Sequence, residues 1–254
     1  MSELLRTENV SEVFGGLKAV TDFNIHLDRG ELVGLIGPNG AGKTTAFNML
    51  TGVYQPTTGT ITFEGESIVG LKPYQVTQRG IARTFQNIRL FSELTVLENV
   101  KIAFHYHVKY GILESVFRIG RYFKEEEAIE KEAHSLLKIF HLDDKADEVA
   151  KNLPYGAQRR LEIARALAAT PKLLLLDEPA AGMNPQETKE LMDMIRWIRQ
   201  EFGLTILLIE HDMSLVMGIC ERIYVLEYGE IIAQGTPDEI KKNPEVIRAY
   251  LGGE

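Results

Sequence analysis

Three short apolar runs punctuate the chain, Leu32–Ile36, Leu173–Leu176 and Thr205–Ile209. None alternates with polar residues, and each gives way to loop or polar residues and then to a helix-compatible stretch. This pattern predicts strands buried on both faces and joined by crossover helices into a parallel sheet. Leu4–Phe14 and Gly59–Phe63 mix apolar and polar positions and predict antiparallel strands. Helix starts are also legible. Thr95-Val96-Leu97-Glu98 and Thr236-Pro237-Asp238-Glu239 carry the pattern in which the N-cap and the third helical residue bond reciprocally. Asn184-Pro185 and Asn243-Pro244 set a capping residue before a proline at the first helical position. From roughly Asn87 to Leu153 the periodicity is helical, with no convincing parallel strand. The expected organisation is an α/β core from 1–86 and 159–235, an inserted helical subdomain over 87–158, and a helical tail over 236–254.

A length of 254 residues suits one large α/β domain or a core with a satellite, and a hydrophobic fraction of 44% supplies an ordinary core. Charge narrows the function. Twenty-eight basic residues against 36 acidic ones give a net charge of −8, which argues against a dedicated nucleic-acid binder. The single cysteine, Cys220, excludes an internal disulfide and a cysteine-rich metal site. The N-terminal residues lack an apolar signal core, and no apolar run approaches the roughly 20 residues that span a bilayer. A soluble chain is expected, with any membrane role exercised through a partner.

Gly37-Pro38-Asn39-Gly40-Ala41-Gly42-Lys43-Thr44 matches the phosphate-loop pattern G-x-x-x-x-G-K-[ST]. Its context fits, because the predicted strand Leu32–Ile36 precedes it and Lys43–Leu50 is helix-compatible. Glycines let the backbone aim several N–H groups at phosphate oxygens, and the helix N-terminus adds positive potential. Lys43 is expected at the β- and γ-phosphates and Thr44 on a Mg²⁺ ion. Asp177 and Glu178 close the run Leu173–Leu176, at the strand end where open α/β sheets collect ligands. Asp177 is expected in the Mg²⁺ shell and Glu178 as the base that polarises water. His211 follows Thr205–Ile209 in the same way and is placed to donate to the γ-phosphate. A histidine after a strand also serves purely structural ends.

Together these residues resemble the ABC transporter ATPase family over almost the whole chain. The resemblance implies a P-loop NTPase (RecA-like) core with an antiparallel β subdomain and an inserted helical subdomain. It makes Gly37–Thr44 the Walker A loop, Leu173–Glu178 the Walker B strand with its catalytic glutamate, Gln86 the Q-loop glutamine that senses Mg²⁺ and the water, and His211 the switch histidine. It implies that ATP meets Phe14, Val20, Asn39, Gly40, Gly42, Lys43, Thr44 and Thr45, with Gly156 reaching the nucleotide of an opposing subunit, and that Thr44, Gln86 and Asp177 serve Mg²⁺. Phe14 is the expected adenine-stacking aromatic, and a strand-end aromatic beside Gly15-Gly16 is the plainer account. The family's LSGGQ signature stands here as Leu153-Pro154-Tyr155-Gly156-Ala157-Gln158. Pro154 removes the hydroxyl that relatives aim at the γ-phosphate, leaving the Gly156 N–H and the dipole of the following helix. Leu161, Ala164, Leu167 and Ala168 line one face of that helix. Asn184 stands where the D-loop has Asp and serves equally as a helix N-cap.

Within the family, Ala82–Gln86, Glu178–Pro185, Ile209–Met213 and Asn243–Gly252 are similar to the ATPases of branched-chain amino acid importers. The long helical stretch through Phe104–Phe123 sets one of their two sister ATPases apart. This resemblance implies a peripheral subunit at the cytoplasmic face of the membrane. Its partners would be membrane permease subunits, a second ATPase subunit in a homo- or heterodimer (the heterodimer favoured) and, indirectly, a substrate-binding protein. Urea and short-amide uptake or lipopolysaccharide export are the alternatives. A soluble nucleotide switch on the ribosome or DNA fits less well, because the chain has one cassette, a modest helical insertion and an acidic balance. Ile88, Leu90 and Phe91, just after Gln86, form a short apolar cluster suited to permease docking or to packing under the helical subdomain. His105 and His107 lack the partners of a metal site. Phe104, Tyr106, Tyr110, Phe117, Tyr122 and Phe123 are read as packing within the helical subdomain. Glu125-Glu126-Glu127 is read as a solvated helix start.

Overall fold

The computed structural model describes residues 2–105, 108, 110, 111, 114, 117, 118 and 120–251. They fall into two compact units, one drawn from 1–86 and 172–254 and the other from 87–171.

The first unit holds two sheets. Strands β1 (Glu3–Phe14), β2 (Leu17–Phe23), β3 (His26–Asp28), β5 (Thr58–Phe63) and β6 (Glu66–Ser67) pair antiparallel in the order β2-β1-β5-β6, with β3 also on β1. The other sheet has the order β11-β10-β4-β9-β8-β7. Its strands are β4 (Leu32–Ile36), β7 (Ile81–Arg83), β8 (Leu173–Asp177), β9 (Thr205–Ile209), β10 (Arg222–Glu227) and β11 (Glu230–Gly235). All its pairings are parallel except β10 with β11. Every residue of β4, β8 and β9 is buried, which is why these strands read as unbroken apolar runs. Val33, Leu35, Leu175, Leu207 and Ile209 share a core with Phe23 and Phe63 of the antiparallel sheet. Phe47 and Leu50 join them from α1 (Lys43–Leu50). Leu191, Ile195 and Ile198 make the buried stripe of the helix Pro185–Phe202. Each fully buried Leu, Ile or Phe side chain contributes roughly 1.5–3 kcal/mol. Strand β8 runs one residue further than the apolar pattern suggests, so Asp177 is itself the last rung.

The second unit is built on the helices Val96–Phe104, Tyr122–Ile139 and Tyr155–Ala168. The Thr95 cap forms as its sequence predicts: Glu98 N–H donates to Thr95 Oγ1 at 3.1 Å and Thr95 N–H to Glu98 Oε2 at 2.8 Å. Leu161, Ala164, Leu167 and Ala168 are all buried. The helix Tyr155–Ala168 belongs wholly to this unit, so the division falls after residue 171 and not at the expected 158. The helix is buried over most of its circumference, Leu161 to Ala164 included, and packs on the helices Val96–Phe104 and Tyr122–Ile139.

Two readings of this region change. The helix expected at Glu125 starts at Tyr122, and Glu126 is not simply solvated. It accepts a hydrogen bond from the Tyr110 hydroxyl at 2.8 Å and lies 2.8 Å from His105 Nε2. Tyr122 stacks edge-on with Tyr110 and Phe123, but Phe117 and Phe123 are 66% and 63% exposed, so the expected packing is only partial. Tyr106 and His107 lie outside the described residues. Among the described residues no group of three or more His, Cys, Asp or Glu is placed to hold a metal, and no helix is long and apolar enough to cross a membrane.

Leu207 tests the doubly buried sheet. Leu207→Ala should lower the unfolding free energy by about 2–5 kcal/mol in urea denaturation. A loss of under about 0.5 kcal/mol, the range of surface changes, would place this strand outside the core.

Candidate active site

The loop after β4 is shaped by close backbone approaches. A Cβ on Gly37 (φ +154°) would lie 2.0 Å from the Leu226 carbonyl oxygen, and one on Gly42 (φ +103°) would lie 2.6 Å from that of Ala19. Neither position has room for a side chain. Asn39 and Gly40 lie exposed at the tip, whereas Lys43 is buried. The Lys43 ammonium donates to the carbonyls of Gly37 at 2.7 Å and Pro38 at 3.0 Å. Burial lowers its pKa, while the nearby carboxylates of Glu178 and Asp177 act in the opposite direction. Thr44 and Thr45 follow in the first turn of α1, where no side chain caps the helix.

The carboxylate pair splits at the end of β8. Asp177 is buried, and Arg83 Nη2 donates to its Oδ2 at 2.6 Å. Glu178 leaves the strand with φ +47°, a left-handed conformation that costs a non-glycine residue about 1–3 kcal/mol. The turn is held by the Glu178 N–H, which donates to the Ile209 carbonyl at 2.9 Å. Strain of this kind collects at functional sites. Here it brings Glu178 to two partners distant in sequence. Gln86 Nε2 donates to Glu178 Oε2 at 2.6 Å, and His211 Nε2 lies 2.7 Å from Oε1. Gln86, Glu178 and His211, expected separately, therefore meet at one carboxylate.

Two charged residues of this neighbourhood went unassigned in the sequence. Arg83 also donates to Asn48 Oδ1 at 2.7 Å, and its guanidinium lies over the rings of Phe47 and Phe85 at 5.4 and 5.1 Å. Glu210, only 3% exposed, accepts the N–H groups of Ala180 at 2.6 Å and His211 at 3.0 Å. A charged residue closing an apolar strand was the available signal in both cases.

Other expected positions are scattered. Phe14 ends β1, is 42% exposed and packs edge-on against Tyr54 at 5.2 Å. Val20 is fully buried and backs the loop: its methyl would lie 3.2 Å from a Cβ on Gly42. It therefore presents no surface to a base. Gly156 lies in the first turn of the helix Tyr155–Ala168, in the other unit, and Pro154 caps that helix without a side-chain hydrogen bond. Asn184 is an N-cap, its Oδ1 accepting from the N–H groups of Gln186 and Glu187 at 2.9 and 3.0 Å.

A phosphate loop, an acid-ended strand and a glutamate shared by glutamine and histidine make a nucleotide-hydrolysing constellation. The family model described as ABC transporter matches residues 20–181. The chain belongs to the ABC transporter family. It is an ATP-binding, ATP-hydrolysing cassette. A second model, described as branched-chain amino acid ATP-binding cassette transporter, matches residues 230–254. The cassette is 50% identical over 250 residues to the high-affinity branched-chain amino acid transport ATP-binding protein LivG of Escherichia coli, covering 98% of each chain. It is 48% identical to BraF of Pseudomonas aeruginosa, a protein of the same description, again over 98% of each. Among solved structures, it matches the ADP conformation of an ATP-binding cassette of an ABC transporter with a TM-score of 0.86. That cassette is 34% identical, with 100% of both chains covered.

The loop geometry gives a paired test. Gly37→Ala should weaken ATP binding at least tenfold in a fluorescence titration, because the cassette must move either Leu226 or the loop. Gly65→Ala, at φ +78° with open space around it, should leave affinity unchanged and cost only about 1–2 kcal/mol of stability. Equal affinities for the two variants would show that the close approach at Gly37 is not needed for binding.

Proposed function

We propose that this cassette energises uptake of branched-chain amino acids through a separate membrane permease. It would act at the cytoplasmic face of the membrane and pair with a second cassette, by preference a different one. The likeness to LivG and BraF along nearly the whole chain supports the solute class. The match of residues 230–254 to the branched-chain model agrees with it. Lipopolysaccharide export has weaker support, in the 37% identity to the export-system ATP-binding protein LptB of Haemophilus influenzae.

The observation that carries the catalytic reading is the meeting of Gln86, Glu178 and His211 beside Lys43. Glu178 takes the proton of the attacking water. Gln86 and His211 hold its two oxygens, so the carboxylate is oriented before reaction. The Lys43 ammonium and the loop amides offset phosphate charge. The expected donors, the Asp177 carboxylate, the Thr44 hydroxyl and the Gln86 amide oxygen, are hard oxygens of the kind that suits Mg²⁺, and Asp177 Oδ2 is already bonded to Arg83. A bound Mg²⁺ would supply charge neutralisation at the phosphates. Gly156 would complete the nucleotide site of the paired cassette and Phe14 would stack on its own adenine.

Glu178→Gln should bind MgATP as the wild type does and hydrolyse it about 10²–10⁴ times more slowly, since only the proton acceptor is lost. Near-normal turnover would remove Glu178 from the chemistry. Lys43→Ala should instead abolish tight MgATP binding in an equilibrium titration, and unchanged affinity would count against the loop assignment.

Permease docking is assigned to 87–91, where Phe91 is 48% exposed and Leu90 half-buried. Aspartate at Leu90 and Phe91 should uncouple ATP hydrolysis from transport in reconstituted vesicles while leaving nucleotide binding intact. Normal transport would reject this surface. The solute class itself is tested by which permease co-purifies with the cassette and whether leucine or valine then stimulates hydrolysis.

A further inference from the structure

The carboxylate of Glu210 lies between two turns that the hydrolytic side chains depend on. It accepts the N–H of Ala180, two residues beyond Glu178, at 2.6 Å, and the N–H of His211 at 3.0 Å. The Asp212 N–H also donates to it. An acid this deeply buried is costly unless its oxygens are bonded, and here backbone donors from two separate loops bond them. Burial pushes the carboxyl pKa up, the three amides pull it down, and the Glu178 charge raises it again. An apolar side chain would fill the same volume without that cost. What the carboxylate adds is a bridge between the turn after β8 and the turn after β9.

That bridge matters because the turn after β8 is strained. Glu178 holds φ +47°, and such a conformation persists only where its surroundings over-determine it. On the near side, its N–H is fixed to the Ile209 carbonyl. On the far side, the Ala180 N–H is fixed by Glu210. The same carboxylate orients the backbone from which the His211 ring reaches Glu178 Oε1.

We propose that Glu210 is a positioning residue for ATP hydrolysis, clamping the two turns so that Glu178 and His211 meet in register. Its carboxylate is bonded to backbone N–H groups, and it acts through the other two. The inference rests on the reading of Glu178 and His211 as hydrolytic machinery.

The test is Glu210→Gln, which keeps the volume but turns an NH2 toward one of the backbone donors. Misplacing a catalytic group by about 1 Å can cost about 10²-fold. Glu210→Gln should therefore lower kcat at least tenfold while KM and the Kd for MgATP stay within about twofold. In a Glu178→Gln background the same change should lower the residual kcat much less, because both turns act on that one carboxylate and residues acting through one contact are not additive. A kcat within twofold of wild type would overturn the proposal. So would a parallel loss of kcat and MgATP affinity, or an equal loss in both backgrounds, since those mark general structural damage. If Glu210→Gln does not fold, Glu210→Asp keeps the charge but withdraws it by one methylene, and the same outcomes decide. Glu178→Gln, run alongside, separates the two readings. If it hydrolyses normally, the assignment beneath the proposal has failed. If it is inactive while Glu210→Gln is normal, only the clamp has failed.

Discussion

Parallel pairing of β8 with β9 runs through five rungs, from Leu173 opposite Thr205 to Asp177 opposite Ile209. The last rung puts the exits of both strands side by side. Glu178 turns out of one and bonds back to the Ile209 carbonyl, while Glu210 and His211 turn out of the other. Strand β4 pairs with β9 on the opposite side, Leu35 opposite Ile209, so the phosphate loop leaves the sheet at the same edge. A slip of one residue in either pairing would reverse which face each side chain presents. Strands apolar on both faces do not themselves choose between registers, so the last rung is marked by the polar residues at the strand exits, where the Glu178 N–H bonds the Ile209 carbonyl.

This edge concentrates charge where water is scarce. Lys43 and Arg83 stand among Asp177, Glu178 and Glu210. An uncompensated buried ion costs several kcal/mol, so the arrangement survives only because each group has bonded partners. Arg83 satisfies Asp177, backbone amides satisfy Glu210, and Gln86 and His211 satisfy Glu178. The groups differ in accessibility. His211 is 41% exposed at its side chain, whereas the Asp177 carboxylate and the Arg83 guanidinium are nearly inaccessible. The reactive side of the cluster therefore faces outward, and its structural side faces the core.

Much of this was legible in the chain itself. Strands β4 and β9 match their predicted bounds because a strand covered on both faces needs apolar residues throughout. The phosphate loop was readable because its glycines answer a local backbone demand. Arg83 and Glu210 escaped because their partners lie far along the chain: Asp177 is 94 residues from Arg83, and Ala180 is 30 from Glu210. Glu126 was misread for the same reason, since a run of three acids looks solvated until His105 and Tyr110 are brought against it. The left-handed turn at Glu178 has no sequence signature, because glutamate is not a residue that favours it.

The Lys43 ammonium has a further consequence, for discrimination among anions. It is already bonded to two carbonyls of its own loop. Any incoming anion must displace or share these bonds, and a hydrogen bond to a charged group contributes a net of only about 1.5–3 kcal/mol. A small anion with few contacts gains little from the exchange. A polyphosphate that also engages the loop amides and the start of α1 gains at several points at once. The loop thus favours a ligand that engages several of its groups over one that engages Lys43 alone.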